Sequence, residues 1–77
     1  MPTEDKLKKI FAEALGIPHG IVDDNLKYAE LAEWDSVAHM TLIAAIEEAF
    51  DIMMDAEDVI EMSSFVRAKQ IVAKYHQ

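Results

Sequence analysis

Asp35, Ser36 and His39 place a carboxylate, a hydroxyl and an imidazole within five consecutive positions, the residue types that acyl-transfer hydrolases use. Their spacing argues against that chemistry. All three fall within about one helical turn, and nothing nearby in the chain supplies a second wall or an oxyanion hole. A different use fits better. Ser36 opens a stretch free of Gly and Pro, Val37 to Phe50, in which Leu42, Ile43, Ile46 and Phe50 recur at helical spacing. Ser36 then reads as the N-cap of a helix, with Asp35 just before it. A serine so placed is partly exposed, and the free N–H groups and positive dipole end of the helix favour an anion attached to it. The simpler use of such a serine is as a plain cap. No metal ligands are expected: His19, His39 and His76 lie far apart, and Asp55-Ala56-Glu57-Asp58 lacks the glycine and the terminal glutamate of a calcium loop. With no cysteine there is no protein thiol nucleophile and no disulfide.

The elements around Ser36 are helical. Thr3 can cap a first helix, whose core stripe is Leu7, Ile10, Phe11, Ala14 and Leu15 and which Gly16 and Pro18 end. Residues 17–35 form a long crossing, pinned to the core by Ile17, Ile21, Val22, Leu26, Tyr28, Leu31 and Trp34, with room for a short helical turn. Trp34 reads as packing rather than as a partner contact. In the helix from Ser36 to about Phe50, helical angle gathers Leu42, Ile43, Ile46, Phe50 and His39 on one side. Val37, Met40 and Ala44 form a second apolar stripe opposite, flanked by Thr41, Glu47 and Glu48. Asp55 caps a short acidic helix, Ala56 to Glu61, and Ser63 or Ser64 caps the last, with Phe65, Ala68, Ile71, Val72 and Tyr75 inward. The expectation is one all-α domain over residues 1–77: a small four-helix bundle with a long loop between helices 1 and 2 and a short third helix.

Asp35-Ser36-Val37 followed by Ile43-Ala44-Ala45-Ile46-Glu47-Glu48-Ala49-Phe50 resembles the acyl carrier protein family, whose pattern is Asp-Ser-Leu and then a helix ending Leu-Glu-Glu-x-Phe. The resemblance extends over essentially the whole chain. It implies a non-catalytic carrier. A phosphopantetheinyl transferase would attach 4′-phosphopantetheine from coenzyme A to Ser36, next to Asp35. Acyltransferases, synthases or ligases with basic docking surfaces would then visit. Docking would run through Asp35, Val37, Met40, Ala44, Glu47 and Glu48, then Glu57, Asp58 and Glu61. The family's acyl cleft, between the second and third helices, would have His39 at its mouth and Ile46, Val59 and Met62 inside, which favours a short or polar cargo. Two alternatives stay open: an aminoacyl or peptidyl carrier, and an unmodified acidic helical module.

Charge agrees with such partners. The net charge is −8, and twelve of the fifteen acids but only one of the seven Lys and Arg lie between Asp23 and Glu61. That excludes nucleic acid as a natural partner and suits a basic protein surface. A hydrophobic fraction of 52% suits a folded chain rather than a disordered one. No apolar run approaches membrane-spanning length and no signal peptide is recognisable, so a cytoplasmic monomer is expected. Ala38 and Thr41 stand where fatty-acid carriers usually have acids, and Trp34 where the residue is often small. These departures point to a specialised fatty-acid, polyketide or related pathway.

Overall fold

A computed structural model describes residues 3–75. Four α-helices run in the order α1 (Thr3–Leu15), α2 (Ser36–Phe50), α3 (Ala56–Glu61) and α4 (Phe65–Tyr75). Among the described residues there is no strand. His76, one of the three histidines, lies outside them.

Each boundary has a local cause. Glu4 and Asp5 sit in the first turn of α1, where the helix dipole favours acids. At its other end Gly16 takes φ 67°, and Ile17 N–H reaches back to the carbonyl of Ala12 at 3.0 Å. That is a Schellman ending, which needs a residue with positive φ. α2 ends the same way, but with Asp51 at φ 55° and Ile52 N–H on the Glu47 carbonyl at 3.0 Å. Ser64, rather than Ser63, caps α4: its Oγ accepts from Arg67 N–H at 3.0 Å.

The crossing between α1 and α2 is ordered by two 3₁₀ turns, His19–Ile21 and Tyr28–Glu30. An isolated antiparallel bridge joins Lys27 to Ser64, with Tyr28 N–H on the Ser63 carbonyl at 2.8 Å and Phe65 N–H on the Leu26 carbonyl at 3.0 Å. The loop is thereby stitched to the start of α4. Lys69 adds an ion pair to Asp24 at 2.7 Å.

All four helices and the loop feed one core. Its aromatic centre is Phe11, which meets Trp34 and Phe65 edge to face at centroid distances of 5.4 and 5.2 Å. Trp34 is 1% exposed, so packing is its role, as the sequence implies. On α2 the inner face is Leu42, Ile43, Ile46 and Phe50, four of the five residues expected from helical angle; His39, the fifth, is half-buried.

Candidate functional site at the start of α2

Ser36 is the first residue of α2, not its cap. The cap is Asp35, whose backbone is extended and whose Oδ1 accepts from Ala38 N–H at 2.8 Å. Its carbonyl accepts from His39 N–H at 2.8 Å. With two capping residues in succession, the sequence pattern alone favoured the wrong one. The correction matters chemically. Because Asp35 does the capping, the exposed Ser36 hydroxyl has no hydrogen-bond partner among the described residues. Asp35 takes the Ala38 and His39 N–H groups, and those of Ser36 and Val37 stay without an acceptor among the described residues, so an anion bonded to Ser36 Oγ would meet these two bare donors at the positive end of the helix. These features fit a phosphodiester on that oxygen.

A cleft of about 370 Å³ opens beside Ser36 between α2 and α3. It is lined by Tyr28, Ser36, His39, Met40, Val59, Ile60, Met62 and Ser63. Three of the four residues expected for the acyl cleft are here. Ile46 is not: it is fully buried in the core and does not reach the lining. Tyr28, Ile60 and Ser63 join the cleft without having been anticipated. For Ile60 a signal is available: it is apolar and adjoins Val59, which the resemblance already places in the cleft.

The outer apolar surface is as the helical angle requires. Val37 and Met40 are 77% and 57% exposed, Ala44 is exposed, and Ile60 on α3 adds a further 79% exposed side chain. Glu48, Glu57 and Glu61 are exposed near them in sequence, Glu61 pairing with Arg67 at 3.4 Å.

Two carboxylates expected on this surface are engaged inside the molecule. Asp58 is 4% exposed and holds Lys74 Nζ at 2.7 Å and the Tyr75 hydroxyl at 2.5 Å, so it is a structural group rather than a docking one. Those hydrogen bonds, Lys74 first and Tyr75 second, outweigh burial and hold its carboxyl below the ordinary value of 3.8. Glu47 is half-buried, and its Oε2 accepts from Met54 N–H at 2.8 Å, fixing the segment that leaves α2. Asp55 also differs from expectation: its side chain makes no cap bond, and its N–H donates to the Tyr75 hydroxyl at 3.0 Å.

A family model described as a phosphopantetheine attachment site matches residues 5–68. An acyl carrier protein of Desulforapulum autotrophicum is 37% identical over 78 aligned positions, covering 96% of this chain and 97% of that one. The solution structure of a holo acyl carrier protein from Geobacter metallireducens matches with a TM-score of 0.83 at 24% identity, over 97% of this chain and 86% of that one. At that identity the likeness is one of fold.

Proposed function

The chain belongs to the acyl carrier protein family, and we propose that Ser36 is its attachment serine and that the exposed faces of α2 and α3 are its docking surface. The family role is to carry rather than to catalyse: the covalently bound 4′-phosphopantetheine supplies a thiol on a flexible tether, on which acyl groups travel as thioesters. Members work with a phosphopantetheinyl transferase and with the enzymes of the pathway they serve.

The observation that carries the assignment to Ser36 is its unbonded hydroxyl at the first position of α2, freed by the Asp35 cap. In this reading Ser36 Oγ receives the phosphate and the bare N–H groups of the first turn steady its charge. Val37, Met40, Ala44 and Ile60 give visiting enzymes an apolar contact, and Asp35, Glu48, Glu57 and Glu61 surround it with charge that speeds encounter with basic surfaces. The reading includes a monomer acting in the cytoplasm. No described helix is long and apolar enough to cross a membrane.

A specialised pathway is the finer part of the proposal. It is supported by Ala38 and Thr41 in place of acids. Thr41 is exposed, and Ala38 is half-buried against the core. Placing charge at Thr41 therefore removes only an exposed bond from its hydroxyl to the Val37 carbonyl at 3.3 Å, whereas Ala38→Asp disturbs packing.

Incubation with coenzyme A, magnesium and a broad-specificity phosphopantetheinyl transferase, followed by intact mass, tests the assignment. The expected result is a gain of one phosphopantetheine in the parent and none in Ser36→Ala. An equal gain in both would overturn it.

A further inference from the structure

The imidazole of His39 lines the cleft beside Ser36. Its Nδ1 accepts from the indole N–H of Trp34 at 2.9 Å, and its Nε2 lies 2.8 Å from the carbonyl oxygen of Val59. An indole N–H can only donate and a carbonyl can only accept, so the partners settle the tautomer: the ring proton is on Nε2 and is given to Val59. That carbonyl needs a partner from outside its helix. α3 ends at Glu61, and the Ser63 N–H that might have served Val59 turns to the Glu61 carbonyl at 2.8 Å instead. The Nε2–H bond therefore runs from α2 across to α3. Trp34 and Tyr28 also hold the imidazole by its faces and edges, at centroid distances of 6.0 and 5.7 Å. Met62, which shares the cleft lining, and Ile46, which does not reach it, are fully buried.

We propose that His39 is a specificity-determining latch that ties α2 to α3 across the inner end of the cleft and keeps short acyl cargo outside the core. The inference rests on the reading that Ser36 bears the arm. To pass between the helices, a chain must break the His39–Val59 bond, and moving the ring far enough also strips the partner from a buried indole N–H. Each methylene that a chain buries favours entry by roughly fourfold. A chain of a few carbons gains too little to offset two orphaned polar groups, so it stays in the outer cleft with Met40, Ile60 and Ser63, within reach of a visiting enzyme. Longer chains enter only beyond a threshold length that the latch sets. Without it, entry begins at shorter chains.

The latch is read first in the unmodified protein, by nitrogen-15 chemical shifts of the His39 ring. One fixed Nε2–H tautomer is expected, and a rapidly exchanging mixture of tautomers overturns the proposal whatever Ser36 carries. Acetyl, butyryl, hexanoyl and octanoyl forms are then made with the transferase, and loading is verified by mass, so that a failure to load Ser36 is separated from a failure of the latch. In the parent the thermal midpoint should stay flat, within about 2 °C, through hexanoyl. In His39→Thr it should rise from butyryl onward, by about 4 °C or more at hexanoyl. Trp34→Phe together with His39→Thr repeats the comparison with no indole N–H left unpaired, which covers a poorly folding single variant. Equal chain-length dependence in the parent and in either variant would overturn the latch, as would a shift of the Ile46 methyls, which lie outside the cleft lining, on loading the parent with hexanoate.

Discussion

Lys74 lies across the carboxylate of Asp58, its ammonium 2.9 Å from Oδ1 and 2.7 Å from Oδ2. The last turn of α4 is thereby tied to α3. Hydrogen bonding to Asp58 holds the Lys74 ammonium above its ordinary 10.5 and, as the largest cause, the Tyr75 phenol above its ordinary 10.0. Asp58, depressed in the folded state, adds stability that is present above about 3.8 and is lost as pH falls through its folded value. Lys74 and Tyr75, both raised, add stability that is present below about 10 and is lost as pH rises through their folded values. Urea midpoints across the acid and alkaline ranges should therefore fall on both limbs in the parent. Asp58→Asn should be less stable at neutral pH and show flatter limbs. Curves of the same shape for both proteins would contradict the linkage.

Glu47 and Glu48 are adjacent but should behave differently. Glu47 satisfies the buried Met54 N–H, so Glu47→Ala should cost about 1–2 kcal/mol in urea unfolding. Glu48 is exposed, and Glu48→Ala should stay within about 0.5 kcal/mol. Equal losses would show that the Met54 bond has no part in holding the turn.

The cap assignment is decided by a similar pair. Asp35→Ala should lower stability by about 1 kcal/mol, with Asp35→Asn keeping most of it. Ser36→Ala should change it by less than about 0.5 kcal/mol, because Ser36 caps nothing. The reverse order of losses would restore Ser36 as the cap.

Association with a basic partner enzyme should be slowed by Glu48→Lys with Glu57→Lys, two exposed positions, while the fold is kept. Each exposed pair is worth about 0.2–1 kcal/mol, so the combined loss should be a few-fold to about tenfold. Rising salt should slow the parent more than the double variant, since screening acts beyond about 8 Å at physiological ionic strength. Stopped-flow association rates measure both effects, and an on-rate indifferent to both would remove the electrostatic role.

Helical periodicity made most of this architecture readable. Leu42, Ile43, Ile46 and Phe50 define the inner face of α2, and α3 and α4 run between their expected limits because Ser64 and the acid-rich turn at Asp55 mark their starts. Periodicity says which side of a helix is apolar, not what stands opposite. Asp58 therefore looked like one more surface acid, because its partners Lys74 and Tyr75 lie on a different helix. The use of Glu47 by Met54 depends on how the chain turns after Asp51. The Lys27–Ser64 bridge is a meeting of two backbones and leaves no mark on side-chain type. His39 was legible as a core-edge residue, but its two bonds became visible only once the indole of Trp34 and the end of α3 were in place.

Trp34 is the single tryptophan of the chain, and its N–H rests on the ring that links α2 to α3. The protein thus contains its own optical reporter. Ultraviolet excitation addresses one indole, buried and hydrogen-bonded to His39, so its emission wavelength and intensity follow the state of that contact without any attached label. Changes at the junction of the two helices, whether from cargo, from a visiting enzyme or from a substitution, are converted into a change of colour and brightness from one known position.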